Sequence, residues 1–120
     1  EYPQSESPWT ELAVYENNKV QFIIAKRGDS FKSIAKAVQR KEKALRLFND
    51  APLNSEPVEN QVIYIELKNK KYATTHVVKQ GETLRYIAQK YAVQLDYILK
   101  YNNLNESSIL QIGDKIKLSY

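Results

Sequence analysis

Sliding the chain along itself by 53 positions, which carries residue 28 onto residue 81, lays Gly28-Asp29-Ser30-Phe31 on Gly81-Glu82-Thr83-Leu84 and Ile34-Ala35 on Ile87-Ala88. The same shift, without a gap, puts Leu45 on Ile98, Phe48-Asn49 on Tyr101-Asn102, and Val62-Ile63-Tyr64-Ile65 on Lys115-Ile116-Lys117-Leu118. Agreement in chemical type at most of these positions implies two copies of one unit of about 45 to 50 residues. A chain of 120 residues could otherwise be one ordinary domain; the repeat makes it two very small ones.

In the second copy, Thr74 to Lys79 is rich in Thr and Val and runs into Gly81, the pattern of a short strand and a turn. Thr83 then caps a helix whose core face is Leu84, Ile87, Ala88 and Tyr91, at i, i+3, i+4 and i+7. A second helix carries Leu95, Ile98 and Leu99 and stops at Asn102-Asn103, because Asn tolerates the left-handed conformation that ends helices. After the loop Asn105-Glu106-Ser107-Ser108 and a turn at Gly113-Asp114, the alternation of Lys115-Ile116-Lys117-Leu118 marks a half-buried strand.

The first copy has the same order, from Val20-Gln21-Phe22-Ile23-Ile24 through a helix face of Phe31, Ile34, Ala35 and Val38 to Leu45 and Phe48. Arg40-Lys41-Glu42-Lys43 holds no good helix cap, so its two helices are expected to run together or to be loosely joined. Asn60 replaces Gly113, a change that a left-handed turn accepts. The expected fold is α+β: two strand-helix-helix-strand modules, each a two-stranded antiparallel sheet with both helices on one face. The boundaries read as a leader or linker at 1–18, a divergent module at 19–67, a polar basic joint at 68–73 and a clearer module at 74–120. Trp9, Leu12, Val14 and Tyr15 imply that part of the leader packs on something.

Composition narrows the function classes. An apolar fraction of 42% with 11% aromatic residues excludes a disordered chain, and no apolar run approaches the roughly 20 residues of a membrane span. With no methionine, these residues are not expected to be a complete translation product, and with no cysteine stability must come from packing. The first 18 residues hold four acids and no Lys or Arg, leaving 18 basic against 10 acidic residues, a net +8, on positions 19–120. Such a body suits polyanionic surroundings, or is simply a solvated surface.

His76-Val77-Val78-Lys79-Gln80-Gly81-Glu82-Thr83-Leu84, with Ile87-Ala88, Tyr91, Val93, Ile98, Tyr101-Asn102-Asn103-Leu104 and Ile112-Gly113-Asp114-Lys115-Ile116, closely resembles the LysM family. The first copy resembles it more distantly through Arg27-Gly28-Asp29-Ser30-Phe31, Ile34-Ala35, Phe48-Asn49 and Asn60-Gln61-Val62-Ile63. The resemblance implies non-catalytic binding of N-acetylglucosamine-containing glycans, peptidoglycan foremost and chitin alternatively, between the loop after the first strand and the loop before the second. Carried onto this chain, the sites are Gly81, Glu82, Thr83, Leu84 and Arg85 with Asn105, Ser107, Ser108, Ile109 and Leu110, and Gly28, Asp29, Ser30 and Phe31 with Pro52 and Leu53. Leu84, Ile109 and Leu110 would supply an apolar floor for sugar rings, and Thr83, Ser107 and Ser108 a polar edge. Each has a structural reading as well: Gly81 for a turn, Thr83 for a cap, Leu84 for core. The tandem also resembles the binding regions of bacterial cell-wall hydrolases such as glucosaminidases, which implies a place in the cell envelope (periplasm or cell surface) and an upstream catalytic domain.

Two rivals remain. For an enzyme the lone His76 has no metal-ligand spacing around it, and Glu82 and Asp114 sit at turns where acids serve conformation; no metal, cofactor or catalytic pair is expected. Nucleic-acid binding rests on Lys26, Arg27, Lys32, Lys36, Arg40, Lys41, Lys43 and Arg46, a charge that is ordinarily a solvated face. A further alternative makes the first copy a spacer or protein-docking module.

Overall fold

Each copy of the repeat closes a strand pair around two helices. The computed structural model describes residues 4, 5, 7, 9 and 12–120, and the chain separates into two units, residues 1–68 and 69–120. In the first lie β1 (Gln4–Ser5), β2 (Val14–Asn17), β3 (Val20–Ile24), α1 (Phe31–Val38), α2 (Glu42–Phe48) and β4 (Val62–Tyr64). The second holds β5 (Thr75–Val77), α3 (Leu84–Tyr91), α4 (Leu95–Asn102) and β6 (Lys115–Lys117). The class is α+β, as expected, and the strands enclosing the helices are antiparallel: Phe22 faces Tyr64 in the first unit and His76 faces Ile116 in the second.

The helices start and stop for matching local reasons. Gly28 and Gly81 have φ of 86° and 82°, a left-handed turn that glycine adopts without strain. Ser30 and Thr83 follow in extended conformation, and their hydroxyl oxygens accept from the amides of Ser33 at 3.0 Å and Tyr86 at 3.1 Å. Gln39 and Ala92 then turn left-handed, at φ 58° and 56°, and end α1 and α3. This separates α1 from α2, so the first-unit helices do not run together despite the weak cap: Lys41 makes no side-chain capping bond, and the break comes from the preceding C-cap. Asn103 ends α4 at φ 53°, and Asn60 takes the turn of Gly113 at φ 72°.

One asparagine in each unit ties the second helix to the last strand. Asn49 Nδ2 donates to Leu45 O at 2.8 Å and to Tyr64 O at 2.9 Å, while its Oδ1 accepts from Tyr64 N at 2.7 Å. Asn102 repeats this with Ile98 O at 2.7 Å, Lys117 O at 2.8 Å and Lys117 N at 2.8 Å. Beside these clamps the cores close, with Ile34, Val38, Leu45 and Ile63 at the centre of the first and Ile87, Val93, Ile98 and Ile116 at the centre of the second.

The first sheet has four strands, in the order β1-β2-β3-β4, where two were expected; the second has two. The added strands come from the stretch read as a leader. Asn18 and Lys19 both take positive φ, 49° and 69°, which matches the twist of a tight hairpin and lays Val14–Asn17 along Val20–Ile24. Val14 is fully buried, and Trp9 and Leu12 pack against the same core. The stretch read as a joint is divided as well. Lys68 is buried in the first unit, with Nζ 2.7 Å from Asp50 Oδ2. Asn69 belongs to the second, donating to Ala92 O and accepting from Gln94 N, both at 2.8 Å.

Asn49→Ala removes the side-chain bonds to both backbone groups of Tyr64 and should destabilise the first unit by about 2–4 kcal/mol. Urea unfolding followed by fluorescence of Trp9, the single tryptophan, reads this unit; an unchanged midpoint would refute the clamp's role.

Candidate functional site

The turn after β5 and the loop before β6 face each other across a cleft of about 370 Å³, lined by Glu82, Thr83, Leu84, Arg85, Leu95, Glu106, Ser108 and Leu110. Leu84 is 8% exposed at the first position of α3, Leu95 is buried at the start of α4, and Leu110 is half-buried against the same core. Their outer surfaces form an apolar floor. Thr83 and Ser108 stand at its edge, but neither hydroxyl is idle: Thr83 accepts from Tyr86 N, and Ser108 Oγ accepts from Asn105 N at 3.0 Å. The Leu84 amide, an orphan of the first helical turn, has no acceptor among the described residues.

One wall is an ion pair. Arg85 Nη2 bonds Glu106 Oε1, joining α3 to the loop, while Arg85 Nε is buried with no partner among the described residues. The opposite support is a buried polar chain. His76, 5% exposed on β5, bonds Tyr91 Oη through Nδ1 and Glu82 Oε1 through Nε2, both at 2.7 Å. The same Glu82 oxygen accepts from Lys79 N at 2.8 Å. The hydrogen bond from His76, and then the one from Lys79 N–H, hold the Glu82 carboxyl below its ordinary value of 4.5. Burial pushes the Tyr91 hydroxyl up.

Of the residues picked out in this unit, Glu82, Thr83, Leu84, Arg85, Ser108 and Leu110 line the cleft. Gly81 shapes the turn, Asn105 and Ser107 form the loop's own bond, Ser107 N to Asn105 Oδ1 at 2.8 Å, and Ile109 projects outward at 88% exposure. Leu95 was not anticipated, and Glu106 lies inside the expected 105–112 loop without having been singled out. Leu95 is separated from the turn by a whole helix, and its only signal was its place in the core periodicity. His76 was read as an isolated strand residue; its partners lie 6 and 15 positions away, on other elements.

In the first unit Gly28 makes the same turn, Asp29 Oδ2 accepts from Lys26 N at 2.8 Å, and Ser30 caps α1. Phe31 is not a surface residue: at 2% exposure it is part of the core, because the helix start points its ring inward. Pro52 O is used by Ser55, while Leu53 is 89% exposed. Among the eight basic residues considered for nucleic acid, Arg40 and Arg46 are spent internally, Arg40 on Ile65 O and Val38 O and Arg46 on Glu42, Ser55 and Glu56.

The LysM domain family model matches residues 76–119, from the buried histidine to two residues past the last strand. Residues 76–119 form a LysM domain. Two relatives, each named as a probable endopeptidase p60, come from Listeria monocytogenes and Listeria innocua; both are 44% identical over 46 residues, 38% of this chain. The match spans only 9% and 10% of their lengths. Among solved structures, the spore cortex-lytic enzymes SleL of Bacillus cereus and Bacillus megaterium are each 26% identical, with 82% of this chain and 22% of theirs covered at a TM-score of 0.37.

The pH dependence of the LysM domain follows from Glu82. Its folded pKa is depressed, so it contributes stability that is present above the unfolded value of 4.5 and is lost as pH falls through the lower folded value. Acid unfolding of the full chain, followed through amide signals of residues 69–120, should therefore be less steep in Glu82→Gln below pH 4.5 than in the parent. Parallel curves would exclude the carboxylate's contribution.

Proposed function

We propose that the chain binds N-acetylglucosamine-containing glycan, peptidoglycan in particular, without cleaving it, and holds an attached catalytic domain to the bacterial cell wall. The observation that carries this reading is the cleft of the LysM domain: a floor of Leu84, Leu95 and Leu110 beneath a free helix amide and an edge of hydroxyl and charged groups. A pyranose ring has apolar C–H faces and N-acetyl methyls to lay on such a floor, and amide and hydroxyl groups to meet backbone donors. The relatives named as probable endopeptidases support a role as the binding region of a larger cell-wall hydrolase in the cell envelope.

By this reading the first unit is a divergent LysM module. The support is geometric: the glycine turns, the Ser30 and Thr83 caps, the left-handed Gln39 and Ala92, and the Asn49 and Asn102 clamps coincide at the spacing of the sequence repeat. The nucleic-acid alternative loses two of its arginines to internal bonds.

Retention of the purified chain on insoluble peptidoglycan, with chitin and DNA in parallel, tests the proposal. Contact through neutral groups should leave retention changed less than about twofold between low and high salt, whereas phosphate-driven binding would fall by orders of magnitude. Leu110→Asp should weaken retention at least about tenfold, equivalent to about 1.4 kcal/mol, while Leu47→Asp on the exposed face of α2 should leave it intact. Binding to DNA alone, lost in salt, would refute the glycan reading.

A further inference from the structure

The two units differ in chemical type at three positions on the helix start, the second helix and the loop beside the cleft. Residues 31, 46 and 56 of the first unit correspond to 84, 99 and 109 of the second. In the LysM domain all three are apolar, Leu84, Leu99 and Ile109; of these only Leu84 lines the cleft, and the loop is tied to α3 by Glu106 and Arg85 rather than through position 109. In the first unit they are Phe31, Arg46 and Glu56, and they are bonded to one another.

Glu56 Oε1 accepts from the Phe31 amide at 2.9 Å. That amide is the counterpart of the free Leu84 amide, an orphan donor at the positive end of the helix, and a carboxylate is a strong acceptor for it. The other oxygen, Oε2, lies 3.0 Å from Arg46 Nη2. Arg46 is fixed in turn: Nη1 donates to Ser55 O at 2.7 Å, Nε to Glu42 Oε2 at 3.2 Å, and the guanidinium sits 4.7 Å from the centre of the Phe31 ring. The Arg46 side chain is 21% exposed and the Glu56 side chain 51%, so the guanidinium is the shielded half of the pair. Helix start, second helix and loop are thus laced together by one carboxylate and one guanidinium.

We infer that Glu56 is an internal ligand of the first unit: with Arg46 it latches the 52–58 loop onto α1, occupying the donor that in the LysM domain is left for a glycan carbonyl. The inference rests on the glycan reading of the second-unit cleft. It makes the chain a tandem with one open site and one closed by its own side chains, and it names Arg46 and Glu56 as the residues that decide which is which. Replacing them with the second unit's residues at those positions, Arg46→Leu with Glu56→Ile, removes both the bond to the amide and its anchor.

Amide NMR of the full isotope-labelled chain, titrated with a soluble N-acetylglucosamine oligomer, separates the outcomes. The parent should shift at residues 83–85 and 106–110 only, and saturate at one oligomer per chain. The double variant should gain a second set of shifts at 29–32 and 52–58 and saturate at two. Glu56→Ala, which removes the bond with less disturbance of the loop, should gain the same second set and is decisive if the double variant loses its dispersed spectrum. Shifts at 29–32 in the parent, or silence there in the folded variants while 83–85 respond, would overturn the latch and leave the glycan reading standing. Silence in both units would overturn the glycan reading and the latch with it.

Discussion

Everything in these small units hangs on the asparagine that joins helix to strand. A two-stranded ribbon is marginal by itself in water, so the last strand of each unit has to be held by the helices. A side-chain amide offers two donors and an acceptor at one site, and Asn49 and Asn102 use all three, one donor on their own helix and the remaining donor and acceptor on the facing strand. Aspartate would lose the donors, and a serine is too short to span both elements. Because the loops 52–58 and 105–110 lie between the clamped helix and the clamped strand, the same bonds limit how far each loop can stray from the start of the first helix. The cleft is a consequence of that tether.

The parts of the fold legible in the sequence were those carried by periodicity and by residues with one dominant local role. Thr83 as a cap, Asn103 as a helix stop and Asn60 as a left-handed turn all follow from short-range chemistry, and each is realised. The missed features depend on residues with weak local preference. Lys19 at positive φ closes a hairpin that no Asn-Gly pair announces, and so hid two strands in the presumed leader. Gln39 and Ala92 are unremarkable helix formers pressed into left-handed caps by the packing of the helix pair. The cleft was half legible: its turn and loop could be located, but Leu95 enters from α4, and the His76 to Glu82 bond crosses from strand to turn. In the first unit, the inward ring of Phe31 and the reach of Glu56 back to its amide are tertiary facts with no local signal.

The two units consume their polar groups in different places. The first unit uses several charged side chains in its own bonds: Arg40 on the carbonyls of Val38 and Ile65, Lys68 on Asp50, Arg46 on Glu42 and Glu56. Burying part of such a pair costs desolvation that only good geometry recovers, and at the 52–58 loop Arg46 and Glu56 satisfy each other. The LysM domain instead leaves the Leu84 amide without an acceptor among the described residues, at a cleft floored by Leu84, Leu95 and Leu110. An apolar floor with an unsatisfied donor beside it has the mixed character of a small-ligand site.

Glu82 is held toward its ionised form at the wall of that cleft. A carboxyl that donates a proton to a glycosidic oxygen must hold it near neutral pH, so such groups sit in apolar surroundings that raise their pKa. Glu82 is tuned the other way, because His76 and the Lys79 amide both point donors at Oε1 and stabilise the ionised form. The acid is therefore an acceptor built into the wall of the cleft, fixing the turn against β5 and α3, and its charge favours ligand groups that donate, hydroxyl and amide N–H, over those that would take a proton.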